Sequence, residues 1–296
     1  MLGDMTFFER LAARIQETDS RVCLGIDPRP EAHPLTHPDR FAGDPAQVAK
    51  AAVYYFQAIL EATAPLVACA KLQAAFFEVL GIPGLIAMAQ LIADLKARGV
   101  PVIVDAKRGD IGSTAEAYAR AYLGDGVFGA DALTVNPYLG GDGLAPFAEQ
   151  AARAGRGVFV LVRTSNPRAA ELQDLELRGG QRLYERVAES VAALAEGCRG
   201  GARYAPVGAV VGGTAPEALA ALRARLPHVW FLVPGYGAQG GRPEGVAGAF
   251  DAEGLGAVVS SSRALTYCSD GADFAERARE AAAEMRRAIN RALGGR

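Results

Sequence analysis

The chain has 296 residues, half of them hydrophobic, with 31 basic and 33 acidic side chains and a formal net charge of −2. That balance gives no electrostatic case for binding nucleic acid or an anionic membrane, and the apolar content excludes a disordered chain. No apolar run approaches the roughly 20 residues needed to cross a bilayer, and the start, Met1-Leu2-Gly3-Asp4-Met5-Thr6, is too short and acidic for a secretory leader, so a cytoplasmic location is expected.

Short apolar runs alternate with amphipathic stretches along the whole chain. A helix is expected over residues 7–17, before a first strand at 22–26 that ends in Gly25-Ile26-Asp27. A long connection, 27–45, carries five prolines and two histidines and leads to a helix at 46–64. The second strand, 67–72, closes on Ala70-Lys71 and precedes a helix at 84–97. The third, 100–105, runs into Asp105-Ala106-Lys107-Arg108-Gly109-Asp110 and then a helix at 114–123. Strands at 130–135 and 158–162 flank a helix at 144–154. A second long connection, 163–180, leads to a helix at 181–196. Strands at 207–211, 229–233 and 257–261 follow, with a helix at 216–225 between the first two and a glycine-rich stretch, 243–253, between the last two. A helix over 271–293 closes the chain.

Strands buried on both faces read as continuous apolar runs, as a parallel sheet requires. Eight strand–helix units within 296 residues predict a (β/α)8 TIM barrel, typically ~250 residues long, occupying residues 1–296 as one domain. A doubly wound sheet is the competing architecture, but no GxGxxG follows the first strand. The four cysteines, Cys23, Cys69, Cys198 and Cys268, are far apart and form no CxxC pair. Reduced core cysteines are therefore expected rather than a zinc or redox motif.

Chemistry concentrates at strand ends, where barrels build their sites. Asp27, Lys71, Asp105 and Lys107 end three successive strands and are expected to form a row of alternating charge. Asp105 and Lys107, two apart on a strand, should point to the same side. Ionised groups at the end of a buried strand are costly unless something uses them. Ser113-Thr114-Ala115-Glu116 fits a capping box with Ser113 as N-cap, which puts Thr114 in the first helical turn. Strand 7 is followed by Pro234-Gly235-Tyr236-Gly237-Ala238-Gln239-Gly240-Gly241 and strand 8 by Ser260-Ser261-Ser262-Arg263. Glycines let backbone N–H groups approach an anion and an arginine can grip it twice, so the pair of loops predicts a phosphate site. Strand 5 ends in Arg163-Thr164-Ser165-Asn166, where a hydroxyl or amide could read a polar ring.

With these pieces in place the chain resembles the orotidine 5′-phosphate decarboxylase family, and within it the longer bacterial type 2 branch. The family's Asp-x-Lys-x-x-Asp, followed by Ile or Val, a small residue, any residue and Thr, is met by Asp105, Lys107, Asp110, Ile111, Gly112 and Thr114. Gly25-Ile26-Asp27-Pro28, Lys71, the Thr164-Ser165-Asn166 turn, the Gln239-Gly240-Gly241 loop and Arg263 extend the resemblance over residues 22–263.

The resemblance implies loss of CO2 from orotidine 5′-phosphate to give UMP in pyrimidine biosynthesis, with no cofactor and no metal. It implies Lys107 as proton donor to C6, Asp105 beside the substrate carboxylate, and Lys71 and Asp27 on the ribose and the charge row. Asp110 and Thr114 would reach the partner's site in a homodimer with shared active sites. Gln239 and Arg263 would hold the phosphate, and Ser165, or the adjacent Thr164, would contact the pyrimidine. The rivals are a metal-dependent sugar-phosphate decarboxylase or aldolase of the same superfamily, and a phosphate-binding barrel without catalysis. Lys71 at the end of strand 2 is hard to reconcile with a bound metal, and the complete Asp-Lys-Asp array argues against loss of chemistry.

Overall fold

The computed structural model describes residues 5–236 and 242–294. Eight parallel strands close into a barrel in chain order. They are β1 (Val22–Ile26), β2 (Cys69–Gln73), β3 (Val102–Arg108), β4 (Ala132–Val135), β5 (Gly157–Arg163), β6 (Val207–Val211), β7 (Phe231–Val233) and β8 (Ala257–Ser261). The helices around them are α1 (Phe7–Thr18), α2 (Pro45–Thr63), α3 (Ala74–Glu78), α4 (Gly81–Ala97), α5 (Gly112–Leu123), α6 (Gly141–Ala154), α7 (Ala170–Gln173), α8 (Leu183–Arg199), α9 (Pro216–Arg225), α10 (Pro243–Val246), α11 (Arg263–Thr266) and α12 (Phe274–Ala292). Among the described residues no helix is long and apolar enough to cross a membrane.

Alternation along each strand sorts side chains between two cores. Outward residues such as Val22, Leu24, Val102, Val104, Leu133 and Val160 pack under the helices. Inward residues Cys23, Cys69, Ile103, Phe159 and Val258 fill the barrel's lower half. Helix α1 plugs that end. Thr6 and Glu9 form a reciprocal cap at its start, and Phe8 stacks on Trp230 at 5.7 Å and meets Phe159 edge-on at 5.4 Å. Going up the barrel, the inward positions turn polar: Cys69 is followed by Lys71 and Gln73, Ile103 by Asp105, and Ala132 by Thr134.

Several sequence expectations need correction. Strand β2 runs from Cys69 to Gln73 rather than over 67–72, and β3 extends past 105 through Lys107 to Arg108. Ser113 is not an N-cap: α5 begins at Gly112 after Ile111, with no side-chain cap. Gly112 sits at φ +52, so the chain turns into the helix before Ser113 is reached, and the Asp110 carboxylate accepts the Ile111 N–H at 2.8 Å. Within the glycine-rich stretch 243–253 the described residues form α10 and a 3-10 turn at Ala247–Ala249. Cys23 and Cys69 are buried, but Cys198 is half-buried and Cys268 exposed, so only two of the four cysteines are core residues.

Candidate active site

At the C-terminal end of the barrel lies a cavity of about 550 Å³ lined by Asp27, Lys71, Asp105, Lys107, Ser165 and Arg263, among others. Six of the residues singled out in the sequence thus meet in one place, contributed by β2, β3 and the segments after β1, β5 and β8. The centre is the Asp105 carboxylate. Lys71 Nζ donates to one oxygen at 3.0 Å and Lys107 Nζ to the other at 2.6 Å. Gln73 Nε2 (3.0 Å) and Thr134 Oγ1 (2.8 Å) donate as well. A buried carboxylate with four donors, two of them cationic, is fully compensated.

The electrostatics follow from that geometry. Burial disfavours the charged form of Asp105, but the ammoniums of Lys71 and Lys107 outweigh it and hold the carboxyl well below the usual carboxylate range. Burial likewise opposes the Lys71 ammonium, yet Asp105 and Asp27 prevail and raise its pKa. Lys71 is buried with Asp105, whereas the Lys107 side chain is 45% exposed and is the cation of the row that faces the cavity's open side. Asp27 Oδ1 is buried without a hydrogen-bond partner, an acceptor left for a donor that enters the cavity.

The backbone around Lys107 departs from a regular strand. Val104 pairs with Leu133, but the next pair is Arg108 with Val135, so β3 bulges between them. Lys107 adopts φ +48, a left-handed conformation that is uncommon for a side-chain-bearing residue. Its N–H is taken by Thr134 Oγ1 at 2.9 Å. Thr134 therefore holds both the backbone of Lys107 and the carboxylate of Asp105. Asp105 and Lys107 do meet on one side, as the spacing predicted, but through a bulge rather than a regular pleat.

Close backbone approaches place the remaining groups. A Cβ on Gly25 would lie 1.9 Å from Ser262 Oγ and 3.0 Å from its Cα, so only glycine lets the segment before Arg263 sit against β1. A Cβ on Gly212 would lie 2.9 Å from the Ser165 backbone. Thr164 and Ser165 both line the cavity. The Thr164 hydroxyl is engaged by Asn166 (2.6 Å) and Gln173 (2.7 Å). The connection after β5 is thereby tied down by α7, with Arg163 bonded to Asp174 at 3.1 Å. The connection after β1 is anchored by Tyr267, whose O–H donates to the Asp27 carbonyl and whose oxygen accepts the Arg29 N–H at 2.8 Å.

Asp110 and Thr114 are not brought into this cavity. Both sit between β3 and the first turn of α5, with Thr114 exposed and the Asp110 carboxylate turned to its own backbone. Gln239 lies outside the described residues. Gln73 and Thr134, which the sequence reading passed over, stand on the inward parity of β2 and β4. Counting two residues on from Lys71 would have reached Gln73. Among the described residues, no three His, Cys, Asp or Glu side chains group so as to hold a metal ion.

Comparison with known proteins agrees with this architecture. The family model for the orotidine 5′-phosphate decarboxylase / HUMPS family matches residues 20–278. The chain is 46% identical over 282 residues to orotidine 5′-phosphate decarboxylase of Rhodopirellula baltica, covering 93% of each chain. It is 44% identical over 290 residues to the enzyme of the same name from Deinococcus radiodurans, covering 98% of each. Among solved structures, OMP decarboxylase of Leishmania donovani superposes with a TM-score of 0.78 at 37% identity, over 98% of this chain and 100% of that one. With the family model matching residues 20–278 and relatives at 44–46% identity covered over more than nine-tenths of their length, the chain belongs to the orotidine 5′-phosphate decarboxylase family.

Proposed function

We propose that this chain decarboxylates orotidine 5′-phosphate to UMP and CO2, with Lys107 supplying the proton that C6 gains. The observation that carries the reading is the Asp105 carboxylate, buried on the cavity floor between the ammoniums of Lys71 and Lys107. The substrate carboxylate lies beside Asp105. Its C–C bond to C6 breaks, the electron pair stays on C6, and CO2 leaves. Lys107 Nζ–H then delivers a proton to C6 and is recharged from solvent through its exposed side.

Charge alone accounts for part of the rate. An ammonium ~4 Å from a developing carbanion contributes about 4 kcal/mol at an effective dielectric near 20, against the ~8–23 kcal/mol that enzymes typically supply. The remainder comes from binding energy at groups remote from C6, which holds the reacting atoms in place. Arg263 and Gln239 grip the phosphate, Asp27 and Lys71 take ribose hydroxyls, and Ser165 reads the pyrimidine. Thr164, which lines the cavity beside Ser165, is the alternative for that contact. Repulsion between Asp105 and the substrate carboxylate is a further, disputed contribution.

Asp110 and Thr114 act in the site of a second copy, in a homodimer. Around them the ends of β2, β3 and β4 lead into exposed apolar side chains: Val79, Ile82, Ile86, Ile111, Tyr138 and Leu139. Tyr138 is 83% exposed in the isolated chain. Exposed apolar side chains of this kind mark an interaction surface, and Ile111 directly follows Asp110 in the chain.

The test is the fall in orotidine 5′-phosphate absorbance with purified protein in metal-free buffer. Lys107→Ala abolishes turnover and leaves a folded chain. Substantial turnover by that variant, or turnover of the natural chain only after a divalent metal is added, overturns the assignment.

A further inference from the structure

A second cavity, about 570 Å³, lies at the opposite, N-terminal end of the barrel. Four cations line it: Arg10 and Arg14 from α1, Lys96 near the end of α4, and Arg156 just before β5. The carboxylates facing them are Asp131, Glu17 and Asp125. Asp131 is fully committed. One oxygen accepts from Arg10 (2.8 Å) and Arg156 (3.1 Å), and the other from the Val102 N–H (2.9 Å). Glu17 is 72% exposed and 3.7 Å from Arg14, and Asp125 is wholly exposed and 3.6 Å from Arg156. Such solvent-facing contacts neutralise little.

The barrel's helices end at this face, and their carbonyl ends favour cations. Arg14 donates to the Ala64 carbonyl (2.7 Å), Arg156 to that of Ala130 (3.2 Å), and Lys96 to that of Gly129. These bonds use only part of the capacity, since a guanidinium carries five N–H donors and an ammonium three. Arg14 Nε is buried without a partner. Lys96 forms no ion pair among the described residues. Burial first, and then Arg156, lower the Lys96 pKa despite the nearby acids, so the cluster repels its own charge.

We propose that this basal cavity is a second anion site that takes the phosphate group of a small phosphorylated molecule. Arg14 and Lys96 are its direct ligands, and Arg10 and Arg156 supply the surrounding positive field. Ala13, Val100 and Pro101 line the same cavity beside the cations and give the body of the ligand an apolar support. The volume lies within the range of ordinary small-molecule sites.

The test is equilibrium dialysis of the intact protein against labelled inorganic phosphate and, separately, labelled ribose 5-phosphate, with and without saturating UMP. The stoichiometry of each probe falls by one per chain in Lys96→Gln and in Arg14→Gln, while Arg14→Lys retains binding within about tenfold. The same one equivalent persists when UMP fills the upper cavity, and all three variants turn over substrate at the natural rate. Tighter binding of ribose 5-phosphate than of inorganic phosphate identifies the ligand as an ester, and equal binding identifies it as free phosphate. Circular dichroism verifies that each variant is folded. If millimolar probe leaves no second equivalent, or if it survives both charge-removing substitutions, the cations serve only the carbonyls of Ala64, Gly129 and Ala130 and the proposal is overturned.

Discussion

Asp105→Asn perturbs the charge row where it is most concentrated. The Asp105 carboxylate sits 3.0 Å from Lys71 Nζ and 2.6 Å from Lys107 Nζ. At ~3 Å and an effective dielectric of ~20, each pair is worth about 5 kcal/mol of attraction before desolvation is subtracted. Removing one partner of such a buried group strands the others, at a cost of about 3–5 kcal/mol. The amide also turns an N–H donor toward groups that are themselves donors: two ammoniums, Gln73 and Thr134. Stability should therefore fall by about 3–5 kcal/mol at pH 7. The pH dependence has a definite sign. The folded carboxyl titrates below its unfolded value of about 3.9, because the lysines outweigh burial. Its contribution is complete above that value and is lost as pH falls toward the folded one. The gap between natural chain and variant should thus be constant from pH 7 to 5 and narrow by about 1 kcal/mol near pH 3. Urea unfolding followed by circular dichroism across that range measures it. A variant within about 1 kcal/mol of the natural chain at pH 7, or a gap that widens toward acid, refutes the reasoning.

Thr134→Val removes the hydroxyl that holds both the Lys107 N–H and the Asp105 carboxylate. It should cost about 1–3 kcal/mol of stability and lower kcat with little change in KM, and a KM effect alone would place Thr134 in substrate binding instead. Gly25→Ala drives a methyl into Ser262 and displaces the segment before Arg263. KM for the substrate should rise, with about 1–3 kcal/mol lost in unfolding measurements, and unaltered KM would disconnect β1 from the phosphate grip. Mixing inactive Lys107→Ala and Asp110→Ala chains should restore one complete site per heterodimer. Absence of recovery despite subunit exchange, followed by native mass spectrometry, would count against shared sites.

The parts of this site that were legible in sequence are those set by local alternation. An apolar run broken by Asp105 and Lys107 announces a strand end, and their spacing of two predicts the shared side that the structure reaches through the bulge. The bulge at Lys107 was not legible, because its cause is Thr134 on the neighbouring strand, and that pairing is decided by register between β3 and β4. Gln73 was missed for a related reason. The apolar run of the second strand closes at residue 72, one short of Gln73, and only the inward parity it shares with Lys71 points to it. Helix α3 follows directly, and five residues are too few to show a helical period. Ser113 failed as a cap because Gly112 can adopt φ +52 and starts the turn early. Asp110 and Thr114 matched the family pattern in sequence, yet neither lines the cavity of this chain.

The layering of the barrel interior explains why the charges are where they are. Below Lys71 and Asp105 the inward positions are Cys69 and Ile103, closed off by Phe159, Trp230 and Phe8. That floor excludes water from one side of the row, which strengthens its electrostatics and makes each unpaired charge expensive. Stability alone does not call for such a row, since apolar side chains of similar volume would serve as well or better. The arrangement makes sense as a charge template. Before substrate binds, two ammoniums face Asp105 and Asp27. In the proposed reaction the substrate brings one more carboxylate to this end, and as CO2 departs the negative charge moves onto C6, toward Lys107. The half-exposed lysine can then give up its proton and regain it from solvent. Lys71, buried with Asp105 and bonded to it, stays charged throughout and keeps the carboxylate in place for the next turnover.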